Sequence, residues 1–126
     1  MAVWVRDLER MREFYERQLG GHSGPRYHSA VTGFGSYFIS IGEGCRIELM
    51  QRPGVGPRAD GLPAGYAHVA LSLGGRQAVD AAVAGLRQRG VTVESGPRTT
   101  GDGYYEAVIL DPEGNRIELT DGPAVP

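Results

Sequence analysis

Apolar residues along this chain change their period twice in the same order. Val3–Val5 is a short apolar run of strand type. From Leu8 the spacing becomes helical: Leu8, Met11, Tyr15 and Leu19 fall on one face beside Phe14, Asp7 is suited to cap the start, and Gly20-Gly21 stops the pattern. Phe34–Ile41 then alternates and is rich in β-formers, and Arg46–Met50 repeats that character beyond a Gly42-Glu43-Gly44 turn. A Pro/Gly-rich stretch follows over residues 53–65. His68–Leu73 opens a second series of the same kind. Arg76–Arg89 is helical, with Ala78, Val79, Ala82, Val83 and Leu86 on one face. Tyr104–Leu110 and Arg116–Thr120 form a hairpin through Asp111-Pro112-Glu113-Gly114-Asn115, a run of strong turn formers.

The two series are copies. Glu43-Gly44-Cys45-Arg46-Ile47-Glu48-Leu49 and Glu113-Gly114-Asn115-Arg116-Ile117-Glu118-Leu119 agree at six of seven positions, offset by 70. The same offset lays Arg17-Gln18-Leu19-Gly20 on Arg87-Gln88-Arg89-Gly90, and an offset of 68 lays Ala2-Val3-Trp4-Val5 on Ala70-Leu71-Ser72-Leu73. Each half therefore reads as strand, helix, then strands. Two units are too few for a solenoid and suit a duplicated domain. The expected organisation is one domain over 1–126, with half-modules over roughly 1–52 and 66–122 joined by the linker 53–65.

Composition removes several function classes. The 126 residues carry a net charge of −2, which disfavours nucleic acid and anionic membranes as partners. All 13 basic residues are arginine, so neither a Schiff-base lysine nor a phosphate-loop lysine is available. The single cysteine, Cys45, allows no internal disulfide and no thiolate zinc site. No apolar run is long enough to span a membrane and no secretory leader opens the chain, so a cytoplasmic location is expected.

Strand parity brings the chemistry into view. In the run from His68, Val69, Leu71 and Leu73 share one face, and His68, Ala70 and Ser72 the other. Ile47 and Leu49 oppose Glu48, and Ile117 and Leu119 oppose Glu118. With the aliphatic faces packed on the helices, His68, Glu48 and Glu118 all take the face away from them. Antiparallel sheets often leave that face to solvent. Matching carboxylates occur in both halves, with a histidine opening one of them, and if the sheets curve toward each other these converge as a mixed imidazole–carboxylate set. Such a set suits Zn²⁺, Ni²⁺, Co²⁺, Mn²⁺ or Fe²⁺.

In this order and spacing the motifs resemble the vicinal oxygen chelate superfamily, which includes glyoxalase I, extradiol dioxygenases, fosfomycin-resistance enzymes and bleomycin-resistance binding proteins. The residues that carry the likeness are Val5-Arg6-Asp7-Leu8-Glu9 leading to Phe14-Tyr15, then Arg46-Ile47-Glu48-Leu49, His68-Val69-Ala70-Leu71, and Asp111 to Leu119. The resemblance implies an α+β fold: two tandem βαβββ modules forming a cupped mixed sheet with helices on the outside. It implies Glu48, His68 and Glu118 as metal ligands, and Glu118, or by pseudo-symmetry Glu48, as the catalytic base. The fourth ligand of the glyoxalase-like pattern falls one position before Met1, so a start placed too late, a stand-in residue or an incomplete site are all open. His22 and His28, in the loop after the first helix, are the available substitutes. Some glutathione-dependent glyoxalases carry an arginine where this chain has Trp4, so a glutathione adduct is not supported.

The activity implied is that of a glyoxalase-like lyase or isomerase. A divalent ion would chelate two neighbouring oxygens of a small substrate and favour an enediolate. Trp4, His28, Tyr37, Tyr104 and Tyr105 are candidate substrate-binding residues, and residues 100–105 read as a loop suited to a lid. The alternatives are a metal-free protein that sequesters an antibiotic-like small molecule and, third, an extradiol-type dioxygenase. A homodimer is expected, because an open cupped sheet leaves edges to cover.

Overall fold

The computed structural model describes residues 1–122, which divide into two compact units at Ala59/Asp60. The first contains β1 (Ala2–Trp4), α1 (Leu8–Leu19), β2 (His22–Ser23), β3 (Tyr27–His28), β4 (Gly35–Ile41) and β5 (Cys45–Gln51). The second contains β6 (His68–Ser72), α2 (Arg76–Gln88), β7 (Val93–Thr99), β8 (Tyr105–Leu110) and β9 (Arg116–Thr120). Each unit is one helix laid on one mixed sheet, which is the expected α+β architecture.

The first sheet runs β1-β5-β4-β2, with β3 also paired to β4; the second runs β6-β9-β8-β7. In both, the opening strand lies parallel to the closing one, and the remaining pairs are antiparallel. The registers are also equivalent. Ala2 pairs with Glu48, and Ala70 pairs with Glu118, so the offsets of 68 and 70 describe a repeated hydrogen-bonding pattern.

Parity builds the two cores. In the first unit Val5, Leu8, Met11 and Tyr15 close over Ile39, Ile47 and Leu49, all buried. In the second, Val79, Val83 and Leu86 on α2 cover Ala107, Ile109, Ile117 and Leu119. Asp7 caps α1 as expected, its carboxylate accepting the Arg10 N–H at 3.0 Å. Helix α2 starts after Gly75 with no side-chain cap, so its amphipathic face, rather than a start signal, defines it.

Three strands lie outside the sequence reading. β2 and β3 have two residues each, too short to show a period. β7 reads Val-Glu-Ser-Gly-Pro-Arg-Thr and shifts register twice against β8, between Val93 and Ser95 and again before Arg98. Gly96 and Pro97 break its alternation, and an edge position accommodates the proline.

Candidate functional site

The open face of the second sheet gathers the polar side chains. Because Ala70 pairs with Glu118 and His68 with Arg116, His68 and Glu118 are diagonal neighbours on one face of β6 and β9. His68 Nε2 stands 3.1 Å from Glu118 Oε2, with the imidazole 41% exposed and the carboxylate 16%. On the other side of β9, β8 pairs Val108 with Glu118 and Glu106 with Thr120, so Glu106 reaches Glu118 from the opposite diagonal. The two carboxyl groups lie close enough to act on one another. Burial first, then the bond to Glu118 and its negative charge, push the Glu106 carboxyl above the usual carboxylate range, with Arg98 opposing. Arg98 pairs with Glu106 in register from β7.

The turn after β7 completes the surroundings. Thr100 donates its hydroxyl to Asp102, and the Gly103 N–H returns to the Thr100 carbonyl at 3.0 Å. That bond from Thr100 is the first cause holding the Asp102 carboxyl below its usual range. A cavity of about 520 Å³ results, lined by His68, Arg98, Thr100, Tyr104, Glu106 and Glu118 among others. It falls within the size range of small-molecule sites, but its lining is polar rather than apolar.

His68 and Glu118 fit a divalent ion by kind, being a borderline nitrogen donor and a hard oxygen donor. They are two donors, and among the described residues no group of three or more His, Cys, Asp or Glu side chains is placed to hold a metal. Glu48 occupies the matching place in the first unit, paired with Ala2 on β1 and Phe38 on β4. The place equivalent to His68, opposite Arg46, falls one residue before Met1.

The remaining expected site residues divide by parity. Trp4 shares the open face with Glu48, and Tyr104 lines the second-unit cavity. Tyr37 and Tyr105 do not join them. Tyr37 pairs with Leu49 on the helix-covered face, where its hydroxyl donates to Glu9 Oε1 at 2.7 Å. This bond is the first cause lowering the Glu9 carboxyl and raising the Tyr37 hydroxyl. Tyr105 likewise faces its helix and donates to Asp80. His22 and His28 are exposed on β2 and β3. Glu106 and Arg98 were not singled out by the sequence. Glu106 alternates with the buried Ala107 and Ile109, so parity could have found it. Arg98 follows Gly96 and Pro97, where no alternation survives.

The raised Glu106 sets a pH dependence. Folding holds its proton above the pH at which a free glutamate, near 4.5, releases it. The stability linked to this group is therefore full at acid pH and is lost as the pH rises through the raised value. Glu106→Gln imitates the protonated form permanently. Thermal melts from acid to neutral pH should show the variant gaining on the wild type as pH rises; parallel curves would exclude the raised Glu106 carboxyl.

The sequence model of the Glyoxalase/Bleomycin resistance protein/Dioxygenase superfamily matches residues 1–119. The chain belongs to this superfamily, that of the vicinal oxygen chelate proteins. No curated protein matches it in sequence. Among solved structures it resembles the trypanothione-dependent glyoxalase I of Leishmania major, at 24% identity and TM-score 0.77, over 96% of this chain and 83% of that one. Glyoxalase I from Zea mays matches at 21% identity and TM-score 0.81, over 99% of this chain but only 44% of the maize one. The fosfomycin resistance protein FosX of Listeria monocytogenes, seen with Mn(II) and 1S,2S-dihydroxypropylphosphonic acid, matches at 18% identity and TM-score 0.74, over 98% and 90%. These likenesses establish the fold. No helix among the described residues is long and apolar enough to cross a membrane.

Proposed function

We propose that the chain is a divalent-metal-dependent lyase or isomerase of glyoxalase type, acting on a small substrate with two neighbouring oxygens through an enediolate. The observation that carries this reading is the His68–Glu118 pair, 3.1 Å apart in a polar cavity that Glu106 also lines. His68 and Glu118 are the ligands proposed for the second unit, and Glu48 for the first. A divalent ion held by these residues would supply Lewis acidity. Glu118 takes the proton from the carbon beside the substrate carbonyl and returns it to the neighbouring carbon. Glu106 holds a proton against Glu118 and keeps that carboxylate oriented. Arg98 supplies the positive charge facing the developing oxyanion, and Tyr104 forms part of the wall.

Metal uptake tests the proposal. Protein stripped with a chelator and dialysed against Zn²⁺, Ni²⁺, Co²⁺, Mn²⁺ or Fe²⁺ in turn should retain one of them at roughly one ion per chain. Elemental analysis gives the count, and light scattering on the same samples tests the proposed homodimer. Absence of retained metal would favour a second reading, a sequestering protein. One observation supports that alternative: Trp4, Phe34 and Tyr27 form a chain of ring contacts at 6.2 and 6.0 Å in the first unit, and Trp4 and Tyr27 are exposed.

A further inference from the structure

The first unit has a cavity of its own, about 560 Å³, between Trp4 at the end of β1 and the turn that follows β5. Trp4, Pro53 and Val55 line it together with Arg52. Gly54 and Gly56 leave it open, since a Cβ added at either would meet nothing within 4 Å. The Arg52 guanidinium carbon lies over the Trp4 ring, 4.7 Å from its centroid. Phe34 meets the same indole edge-on at 6.2 Å, and Trp4 remains 44% exposed.

Arg52 has no carboxylate partner among the described residues. It is held by an aromatic face instead. Stacking of a guanidinium on an indole is attractive even at an exposed site. It orders the guanidinium while leaving the N–H donors free for an incoming acceptor. A carboxylate fits that fork bidentately. The apolar walls beside it then need a planar, unsaturated body. Trp4 and Glu48 lie on the same sheet face, one pairing step apart, because Ala2 pairs with Glu48 and Trp4 with Met50.

We propose that the Trp4–Arg52 cavity is a binding site for small aromatic carboxylates, in which Arg52 takes the carboxylate and Trp4, Pro53 and Val55 take the ring. The site operates without metal and does not depend on the reading given for His68 and Glu118.

The chain has one tryptophan, so its fluorescence reports this cavity. Metal-stripped full-length protein is titrated with benzoate and, in parallel, with benzyl alcohol, which has the ring without the charge. Benzoate should quench saturably and bind about tenfold or more tighter than the alcohol. Arg52→Ala should bring benzoate down to the level of the alcohol and leave the alcohol unchanged, while Arg52→Lys should recover only part, lacking the planar fork. Circular dichroism checks that the variants fold, and calorimetry on the wild type gives the benzoate-to-alcohol ratio without any variant. Equal affinity for both probes, unchanged benzoate affinity in Arg52→Ala, or no saturable response overturns the proposal.

Discussion

Replacing Glu118 with alanine is expected to lower affinity for the divalent ion by more than about 100-fold, beyond the 10–100-fold typical of residues that only support a ligand. The size follows from what the carboxylate does at its position. It has the charge of the pair, it is the less exposed of the two at 16%, and it is the point where His68 and Glu106 meet. Without it, His68 is a single donor that stands 41% exposed, and one such donor competes poorly with water. His68→Ala should be less severe, since the negative charge remains. The double variant should lose much less than the sum of the two, because each single change already breaks the pair. Glu94→Ala is the control. Glu94 is also a carboxylate of the second sheet, but it is paired with Arg116 at 2.8 Å, and its removal should leave metal uptake intact. Titration calorimetry on the wild type and the four variants decides the matter. Retention of a full complement of metal by Glu118→Ala would overturn the proposed ligand role. The same variant carries an independent readout: without Glu118 the Glu106 carboxyl loses its second- and third-largest causes of elevation, so the pH dependence assigned to Glu106 should shrink.

The fold and part of this site were legible because duplication and parity are both local properties of the sequence. The offsets of 68 and 70 reappear as the pairing of Ala2 with Glu48 and of Ala70 with Glu118. Alternation with Ile117 and Leu119 put Glu118 on the face of His68, where the two side chains meet. Tyr37 and Tyr105 are aromatics close in sequence to the site, whereas the parity they share with Ile39 and Ala107 assigns them to the helix-covered faces. Arg52 was hidden for a different reason. It stands where β5 gives way to a Pro/Gly-rich turn, and only the turn's path carries its guanidinium over Trp4. β7 was hidden because a strand containing Gly-Pro and two register shifts has no period to detect.

That irregular strand carries the largest expected effect on stability. Gly96 has φ +81°, and a Cβ there would lie 2.5 Å from the Glu106 carbonyl oxygen and 2.9 Å from the Ala107 Cα. Both are backbone atoms of β8, which is paired on both sides, to β7 and to β9, and cannot withdraw. Two costs therefore combine in Gly96→Ala. The left-handed backbone costs an alanine about 1–2 kcal/mol. Forcing extra volume into a packed strand pair costs about 1–3 kcal/mol more. The expected loss is about 3 kcal/mol, or a fall in melting temperature of about 10 °C for a chain of this length. Two other glycines separate the contributions. Gly44 has φ +89° with nothing within 4 Å of an added Cβ, so Gly44→Ala should show the backbone cost alone. Gly101 has neither feature, and Gly101→Ala should stay within about 0.5 kcal/mol of the wild type. Urea unfolding ranks the three. If Gly96→Ala is no worse than Gly44→Ala, the close approach of β7 to β8 is not a constraint. If it is much worse, the displaced atom is the carbonyl of Glu106, so the carboxyl bonded to Glu118 should move with it. The Gly96→Ala protein should then lose metal affinity as well as stability, although position 96 supplies no ligand.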